Sequence, residues 1–292
     1  MKTNKIYLLI PLYNDWTSLN KLLKTIDKKI NNKENSVNIL IVNDCSTEKS
    51  KRSKHQFSNI KSIKVVNLKK NFGHDRAISI GLNILQKREK FDYVITMDSD
   101  GEDNPKYIKS FIEKIDQDKN VIIVAKRNKR SVSLLFNVLY YLHLMTLFIF
   151  VGKWVNFGGF NCLSKLAVKN LLKEKTLWGN YSATIAISKV KIKFLDTDRS
   201  KRYFGPSQMN YFKLFLHSLS ILSVFKKNIF LISSLLIFLY LFIVGMHNNL
   251  ILYMPTIILI FLNLLVLVMS KRENILWRNN VNKNILFIGK LF

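Results

Sequence analysis

The stretch Phe91-Asp-Tyr-Val-Ile-Thr-Met-Asp98-Ser-Asp100-Gly-Glu102-Asp103 decides the fold of this chain. It contains a short apolar run, Tyr93–Met97, and the carboxylates of Asp98 and Asp100 follow this run at once. A short apolar run bounded by turn residues predicts a buried β-strand, here one that ends in acidic side chains. Carboxylates spaced i, i+2 are suited to binding Mg²⁺ or Mn²⁺ on a diphosphate, because these hard cations complete their shells with phosphate oxygens and water. Acidic turns after strands are also common without a metal, so the rest of the chain must decide.

Apolar runs and helical patterns alternate along the first part of the chain. The strand-type runs are Ile6–Ile10, Val37–Val42, Ile63–Asn67, Tyr93–Met97 and Val121–Ala125. The helical patterns between them are Trp16–Ile30, Asp75–Gln86 and Pro105–Ile115. This alternation predicts an α/β fold with βαβ units, a mostly parallel sheet, and ligand binding at the carboxyl ends of the strands.

Three further polar segments follow predicted strands. They are Ile10-Pro-Leu-Tyr-Asn-Asp15, Ile41-Val-Asn-Asp44-Cys-Ser-Thr-Glu48 and Asn71-Phe-Gly-His-Asp75. Each one alone fits turn or helix-cap chemistry, and Ser46 or Thr47 could simply cap a helix. Four such segments in order, all at strand ends, instead predict one polar crevice. Among the five histidines, His74 is the one that this pattern selects for a functional test.

The composition narrows the class of protein. In 292 residues, 46 Lys and Arg stand against 19 Asp and Glu, so the formal net charge is 46 − 19 = +27. This excess fits either a biased nucleotide composition or attraction to anionic lipids and phosphorylated ligands. No nucleic-acid-binding motif is recognisable, so nucleic acid is not an expected partner. Two lone cysteines, Cys45 and Cys162, fit a reduced cytosolic domain, and the first apolar run is too short for a signal-peptide core.

Two apolar runs near the C-terminus predict membrane spans. Ile229–Met246 and Leu250–Met269 hold 18 and 20 residues without a formal charge, enough to cross a hydrocarbon core of about 30 Å. A short linker makes them a helical hairpin. Lys226-Lys227 before it and Lys271-Arg272 after it place both outer ends in the cytoplasm. A hairpin buried in a protein core is the alternative.

Two other apolar segments are expected at the membrane interface. Leu134–Val151 is long enough to span, but one more crossing would put the basic residues 199–202 across the membrane from the acidic residues 98–100, and no single site could then form. We therefore predict that 133–151 lies in the interface. Met209–Phe225 has an amphipathic pattern that fits equally a surface helix and a helix packed on the catalytic domain.

The four polar segments resemble family 2 glycosyltransferases, whose usual forms read approximately IPVYNE, VDDGSTD, NFG and DADLQDPPE. With its two apolar C-terminal runs, the chain is most similar to the polyprenyl-phosphate hexose synthases, a group that includes dolichol-phosphate mannose synthase and bactoprenol glucosyltransferases. The resemblance covers about residues 5–270. It implies a GT-A fold and an inverting enzyme in which an acceptor phosphate attacks the anomeric carbon directly.

The resemblance also implies roles for individual residues. Asp98 and Asp100 would bind Mg²⁺ or Mn²⁺ and the diphosphate, with Asp103 nearby, and these three are the candidate catalytic residues. The residues that would bind the nucleotide sugar are Pro11, Tyr13, Asp15, Asp44, Asn71, Gly73 and His74.

A basic segment, Asp198-Arg199-Ser-Lys201-Arg202-Tyr-Phe-Gly205-Pro-Ser207-Gln-Met209, resembles the family pattern ER-x-x-R-x-x-G-x-[ST]-K-Y. Arginine can clamp phosphate through paired hydrogen bonds and lysine acts as a point charge. The resemblance therefore implies that Arg199, Lys201, Arg202 and Ser207 bind the acceptor phosphate. A solvated basic loop is the plainer interpretation. Gln208 replaces the usual Lys.

One departure from the family pattern concerns catalysis. Relatives carry Asp in a G-D-F-R-L segment, and Gly159 takes its place in Gly158-Gly159-Phe160-Asn161-Cys162. Loss of a general base could cost about 10²–10⁴-fold in rate for a hydroxyl acceptor. A phosphate monoester has a second pKa of about 6, so it is already largely a dianion at neutral pH. A phosphate acceptor therefore tolerates this departure better than a hydroxyl acceptor does, and a different sugar preference is the other interpretation.

These inferences predict four parts. A GT-A catalytic domain spans 1–205 and includes the interfacial helix 133–151; an amphipathic juxtamembrane helix spans 206–227; two transmembrane helices span 228–270; and a cytoplasmic tail spans 271–292. The predicted enzyme moves a hexose from a nucleotide diphosphate sugar, with UDP-sugar favoured, to undecaprenyl phosphate for cell-envelope glycan modification. It would lie in the cytoplasmic membrane of a bacterium as a multi-pass protein, with its catalytic domain in the cytoplasm.

Two alternatives stay open: a family 2 transferase that acts on a sugar hydroxyl of a lipid-linked or surface glycan, and an inactive membrane protein that keeps the fold for binding. The expected partners are the nucleotide-sugar donor, the polyprenyl phosphate and membrane lipids, and a homo-oligomer is left open.

Overall fold

The structure is a computed structural model that describes residues 4–30, 35–48, 55–115, 119–127, 134–152, 155–206, 210–245, 249–273 and 280–290. The chain forms two compact units. The first unit combines Met1–Arg130, Phe157–Ser207 and Ile275–Phe292, and the second combines Ser131–Asn156 and Gln208–Asn274. Each unit is therefore built from segments that are separated in the sequence.

In the ranges just given, eight strands form one sheet in the order β7-β5-β6-β4-β1-β2-β3-β8. The strands are β1 (Asn4–Leu12), β2 (Asn35–Asn43), β3 (Ile60–Leu68), β4 (Tyr93–Thr96), β5 (Val121–Arg127), β6 (Phe157–Ser164), β7 (Lys191–Thr197) and β8 (Ile285–Lys290). The α-helices are α1 (Trp16–Lys29), α2 (His74–Arg88), α3 (Tyr107–Ile115), α4 (Leu134–Val151), α5 (Lys165–Leu171), α6 (Tyr181–Ile187), α7 (Tyr211–Val224), α8 (Lys226–Val244) and α9 (Met254–Ser270).

The core of the first unit lies on both faces of this sheet. The pairs β1–β2, β2–β3, β1–β4 and β5–β7 are parallel. Strand β6 is antiparallel to both β4 and β5. Helices α1 and α3 cover one face, and α2, α5 and α6 cover the other. Burial on both faces explains why β1 and β2 read as nearly continuous apolar runs. The predicted α/β fold with a mostly parallel sheet is confirmed, and the carboxyl ends of β1, β2, β3 and β4 meet at one edge.

The C-terminal residues belong to this sheet. Ile285–Lys290 forms β8, which pairs antiparallel with β3 at the edge of the sheet. The sequence predicts a tail over 271–292 and assigns no secondary structure to it. Within that range, Ile285–Lys290 pairs with the edge of β3, and such pairing satisfies backbone groups at a sheet edge. This long-range contact is not specified by the local sequence.

Helix α2 is tied to the sheet at its C-terminal end. Glu89 follows the helix, and its carboxylate accepts hydrogen bonds from the hydroxyl of Tyr7 on β1, at 2.7 Å, and from the ammonium of Lys64 on β3. Burial acts to raise the pKa of Glu89, but these two hydrogen bonds outweigh it, and the pKa is lowered. The contact matters for the site because α2 carries His74 at its other end.

We predict that Glu89→Gln destabilises the protein at pH 7 by about 1–2 kcal/mol, because the charged acceptor is lost. A carboxyl whose pKa is depressed in the folded state stabilises the fold at pH values above its unfolded pKa, about 4.3 for Glu. This stabilisation is lost as the pH falls through the pKa of the folded state. The difference in free energy of unfolding between wild type and variant should therefore shrink below about pH 4. Thermal unfolding of the full chain in detergent measures it. Glu113→Gln, whose side chain is 64% exposed, is the matched control. An equal difference at pH 7 and pH 3 would contradict the proposed linkage.

The second unit consists of helices with large apolar exposure. In the described residues, Lys226–Val244 and Ile251–Ser270 are long and apolar enough to cross a bilayer, and only 11% of each is buried. They pack as a hairpin in which Ser233 and Asn263 exchange hydrogen bonds of 2.8 and 3.1 Å. At the outer ends Lys226 and Glu273 form an ion pair of 2.7 Å. The two C-terminal helices thus form the predicted hairpin.

Helices α4 and α7 pack within the same unit. Helix α4 contacts α7 and α8, and all three belong to the second unit. Its Tyr141, Met145 and Phe148 are each more than half exposed. Helix α7 buries Leu219 and Leu222 and packs on α9. The interfacial location of α4 stays a prediction.

Candidate active site

The acidic loop after β4 is folded by its own carboxylates. Asp103 is 2% exposed and accepts a 2.9 Å hydrogen bond from the backbone N–H of Asp98. Asp100 accepts a 2.9 Å bond from the backbone N–H of Glu102 through Oδ1. Asp103, expected near the cation, therefore braces the loop that carries Asp98 and Asp100.

Asp98 lies against the N-terminus of α2. Its Oδ1 is 2.8 Å from Nε2 of His74, the first residue of the helix. Partial desolvation acts to lower the pKa of this imidazole, but the carboxylate of Asp98 outweighs it and raises the pKa to about 9. His74 is therefore positively charged at neutral pH.

Gly159, on β6, lies beside the side chains of His74 and Asp98. A Cβ at this position would lie 3.3 Å from Cε1 of His74 and 4.0 Å from Oδ1 of Asp98. The position at which relatives carry Asp is thus beside the acidic loop. In this chain it supplies no side chain, and the imidazole of His74 lies next to it.

The basic segment lies over the acidic loop as a short strap, which we define as residues 198–205. The backbone N–H of Ser200 donates to the carbonyl of Glu102, and that of Tyr203 donates to the carbonyl of Asp100, both at 2.9 Å. Arg199 forms an ion pair with Glu102. The strap and the loop therefore form one bonded structure, and the sequence prediction that the basic and acidic segments share one site agrees with this geometry.

Arg202 joins two carboxylates of the site. Its guanidinium donates to Oδ2 of Asp100 at 2.9 Å, to Oδ2 of Asp15 at 2.7 Å and to the carbonyl of Phe204 at 3.0 Å. Burial and the neighbouring carboxylate of Asp98 raise the pKa of Asp100 to about 6, against the opposing effect of Arg202. Asp15, at the start of α1, makes no helix-capping bond with its side chain and serves this cluster instead.

The loops after β1, β2 and β3 are linked by side chains. Asn14, with φ of 50°, accepts hydrogen bonds from the backbone N–H groups of Thr47 and Glu48. Asp44 is 3% exposed and accepts bonds of 2.7 and 2.8 Å from the backbone N–H groups of Phe72 and Gly73. Burial raises the pKa of Asp44, and the two N–H groups oppose that rise. In this structure Asp44 joins two loops, and its contact with a nucleotide stays a prediction.

The predicted site residues divide into three groups. The structure brings together Asp15, His74, Asp98, Asp100, Asp103, Arg199 and Arg202, and it joins Asp44 to Gly73 beside them. Pro11 is buried in β1, whereas Tyr13, Asn71 and Lys201 are exposed at loop positions. Ser207 lies outside the described residues. The arginines, expected on an acceptor phosphate, contact carboxylates of the acidic loop.

Sequence reasoning missed Asn14, Glu102 and Tyr203 as site residues. Asn14 and Glu102 lie inside the polar motifs, but the hydrogen bonds that each makes with another loop leave no pattern in the local sequence. Tyr203 is explained by Gly101: this glycine has φ of +85°, and an added Cβ would lie 2.3 Å from the Tyr203 ring. A glycine directly after two carboxylates was the one available signal of close approach.

The carboxylates fit a divalent cation that arrives with a diphosphate. In the part of the chain that the structure describes, no group of three or more His, Cys, Asp and Glu side chains is arranged to hold a metal. Mg²⁺ is usually bound by one or two carboxylates together with substrate phosphates and water, not by an all-protein cage. Asp98 and Asp100 supply this number and type of ligand.

The sheet, with an acidic loop at its carboxyl edge, defines a GT-A type of fold. The model of Glycosyl transferase family 2 matches residues 7–175. Because this match covers more than half of the 292 residues, the chain belongs to glycosyl transferase family 2. The resemblance of its motifs to this family is confirmed.

Similar proteins agree with this assignment. An uncharacterized glycosyltransferase of Synechocystis is 25% identical over 73% of this chain and 66% of its own length. An undecaprenyl-phosphate 4-deoxy-4-formamido-L-arabinose transferase of Proteus mirabilis is 29% identical over 44% of this chain and 39% of its own length. The chain thus spans less than two thirds of the length of these relatives.

Solved structures resemble the fold. Glucosyl-3-phosphoglycerate synthase from Mycobacterium tuberculosis, in complex with Mn²⁺ and UDP-glucose, superimposes with a TM-score of 0.52. The superposition covers 77% of this chain and 79% of that chain, at 13% sequence identity. At this identity the likeness supports the fold alone.

We predict that Gly101→Ala lowers the free energy of unfolding by about 2–4 kcal/mol, because a strained backbone is combined with displacement of Tyr203. Activity should fall at least about tenfold, since the loop that carries both carboxylates must shift. Gly205→Ala is the matched control: its φ is +68°, but nothing lies within 4 Å of an added Cβ. It should cost only about 1–2 kcal/mol of backbone strain. Thermal unfolding and sugar-transfer rates of both variants provide the measurement, and equal losses would contradict the role given to the Tyr203 contact.

Proposed function

We propose that this glycosyltransferase moves a hexose, with inversion, from a UDP-sugar to a polyprenyl phosphate at the cytoplasmic face of a bacterial membrane. The observation that carries the proposal is the cluster of Asp98, Asp100 and Arg202 at the carboxyl edge of the sheet. The carboxylate of Asp100 and the guanidinium of Arg202 are 2.9 Å apart there, and Asp98 lies on the same acidic loop. Such a cluster is suited to a reaction between two phosphorylated substrates.

The donor side of the reaction falls to residues from four strand ends. Asp98 and Asp100 would hold Mg²⁺ or Mn²⁺ together with the diphosphate, and the bound cation supplies stabilisation of negative charge on the leaving group. Asp103 keeps the loop in place. The nucleotide and sugar would contact the edge formed by Pro11, Tyr13, Asp15, Asp44, Asn71, Gly73 and His74.

His74 adds positive charge to the donor site. With a pKa of about 9 it is protonated at neutral pH and donates to Asp98 at 2.8 Å. This orients the carboxylate and partly neutralises it, which limits repulsion of an incoming diphosphate. The charge of His74 therefore supports donor binding without a part in proton transfer.

The acceptor side needs no general base. A phosphate monoester is largely a dianion at neutral pH, because its second pKa is near about 6. One of its oxygens forms a bond to the anomeric carbon while the bond from that carbon to the nucleoside diphosphate breaks, and the diphosphate leaves with the electron pair. Gly159, which offers no carboxylate beside Asp98, is compatible with such an acceptor. Arg199, Lys201, Arg202 and Ser207 are the candidates to hold its phosphate.

The second unit would keep the enzyme at its lipid substrate. Helices α8 and α9 would form a transmembrane hairpin within 228–270, with Lys226 and Lys271 at its cytoplasmic ends. Helix α4 and the helix of 206–227 would lie in the interface. The apolar exposure of these helices and the named function of the Proteus mirabilis relative support this proposal.

We expect Asp98→Ala to reduce sugar transfer at least about 100-fold, because the cation and the diphosphate lose a common ligand. Membranes that contain the protein are incubated with a panel of labelled nucleotide sugars and Mn²⁺, and label in the lipid phase is counted. The exposed Glu113→Gln should transfer at the wild-type rate. Unchanged transfer by Asp98→Ala would refute the role of Asp98 in metal binding.

We also expect undecaprenyl phosphate to be preferred over acceptors that offer only a sugar hydroxyl. In the same assay, the two acceptor classes are compared at equal concentration, and the preference should be at least about 100-fold, the scale of a missing general base. Equal rates, or a faster reaction with the hydroxyl acceptor, would point to a transferase acting on a glycan. Binding of a nucleotide sugar without turnover on either acceptor would point to an inactive binding protein.

A further inference from the structure

Arg202 takes the place beside Asp100 that a divalent cation would need. Both carboxylate oxygens of Asp100 have partners: Oδ1 accepts from the backbone N–H of Glu102, and Oδ2 accepts from the guanidinium of Arg202 at 2.9 Å. A second nitrogen of the same guanidinium contacts Asp15 at 2.7 Å. The side chains of Arg202, Asp15 and Asp100 are 20%, 14% and 12% exposed. A partly buried positive charge so close to Oδ2 repels a cation that approaches the same oxygen.

The backbone on either side of Arg202 is held to the acidic loop. Tyr203 donates to the carbonyl of Asp100, Ser200 donates to the carbonyl of Glu102, and the ring of Tyr203 packs on Gly101. The hydroxyl of Tyr203 reaches Thr25 on α1 at 3.3 Å. Arg202 can leave Asp100 by rotation of its long side chain while the strap stays on the loop.

A diphosphate offers Arg202 a better partner. Guanidinium binds phosphate through paired hydrogen bonds, and a diphosphate carries more negative charge than the shared carboxylates. A cation that binds Asp98 and Asp100 brings the same diphosphate to this place. The cation and the guanidinium of Arg202 therefore compete for Asp100 when no donor is present. When the donor is bound, both bind its diphosphate.

We propose that Arg202 is the resident counter-ion of Asp100 and Asp15 in the donor-free enzyme and moves from Asp100 to the donor diphosphate on binding. Arg202, one of the candidates named above for the acceptor phosphate, is thereby assigned to the donor side. Arg199 and Lys201 are the cations of the strap that remain for the acceptor phosphate. As a result, the metal ion binds weakly alone and tightly with the nucleotide, which keeps the site from binding a cation without substrate. This inference rests on the proposed function for the identity of the donor.

Binding of Mn²⁺ alone tests the competition directly. The full chain in detergent is titrated with Mn²⁺, and the free ion is measured by electron paramagnetic resonance. Arg202→Gln should bind Mn²⁺ about tenfold more tightly than wild type, because the competing charge is gone. Arg199→Gln, which removes a nearby charge paired with Glu102, should change the affinity less than about threefold. Arg202→Lys, which keeps the charge but loses the fork that joins two carboxylates, should lie between wild type and Arg202→Gln.

The same titration with a nucleoside diphosphate tests the movement of Arg202. With saturating UDP, and with GDP in a parallel series, wild type should bind Mn²⁺ at least about tenfold more tightly than it does alone. This gain should be reduced to about threefold or less in Arg202→Gln. A merely structural role would weaken Mn²⁺ binding in both titrations, and thermal unfolding identifies a variant that fails to fold.

Two results would overturn the inference. One is an Mn²⁺ affinity of folded Arg202→Gln that equals or falls below that of wild type in the absence of nucleotide. The other is a nucleotide-dependent gain that is as large in Arg202→Gln as in wild type. Failure of the proposed function is separate: label absent from the lipid phase, together with the expected Mn²⁺ shift, would reject the polyprenyl acceptor and leave the role of Arg202 intact.

Discussion

Carboxylates from different strand ends meet at the carboxyl edge of the sheet, and positive side chains are what allow them to stay there. Asp15, Asp98 and Asp100 influence one another through like charge, which contributes to the raised pKa of Asp100. Arg202 opposes this repulsion by bonding to two of the three carboxylates, and His74 does so at Asp98. The protein thus supplies positive side chains of its own to the carboxylates of this loop.

The same counter-charges shape the chemistry. A site of carboxylates alone would bind a metal ion whenever one was available and would repel a diphosphate. With Arg202 and His74 in place, the site binds neither the divalent cation alone nor the diphosphate alone strongly. It binds the two together. Gly159 fits this balance, since an aspartate at that position would place its Cβ 4.0 Å from Oδ1 of Asp98 and add negative charge beside it. The proposed phosphate acceptor, already ionised, does not need such a base.

The sheet and the apolar helices contribute in different ways. Burial on both faces fixes β1 and β4, and the backbone of Met97 is bonded to that of Leu9, which carries the order of the sheet up to the acidic loop. The helices of the second unit instead leave apolar side chains exposed, as at Phe238 and Phe261. Such surface is costly in water and favourable in lipid, which is why the proposed substrate is a lipid.

The sequence by itself determined the elements of the sheet and the family to which the chain belongs. Alternating apolar runs predicted the first five strands and three helices to within a few residues, because a parallel strand buried on both faces has a strong local pattern. The motifs at residues 98–103 and 10–15 predicted which carboxylates would meet, since the carboxyl ends of parallel strands share an edge.

Only the tertiary structure decided the partners. The pairing of Arg202 with Asp15 and Asp100, the bracing role of Asp103, the link from Asp44 to Phe72 and the eighth strand all join residues far apart in the chain. Their local sequences carry no period or spacing that specifies these contacts. Long-range hydrogen bonds and ion pairs are chosen by which groups the packed sheet leaves close together and out of water, and this selection exists only once the chain has folded.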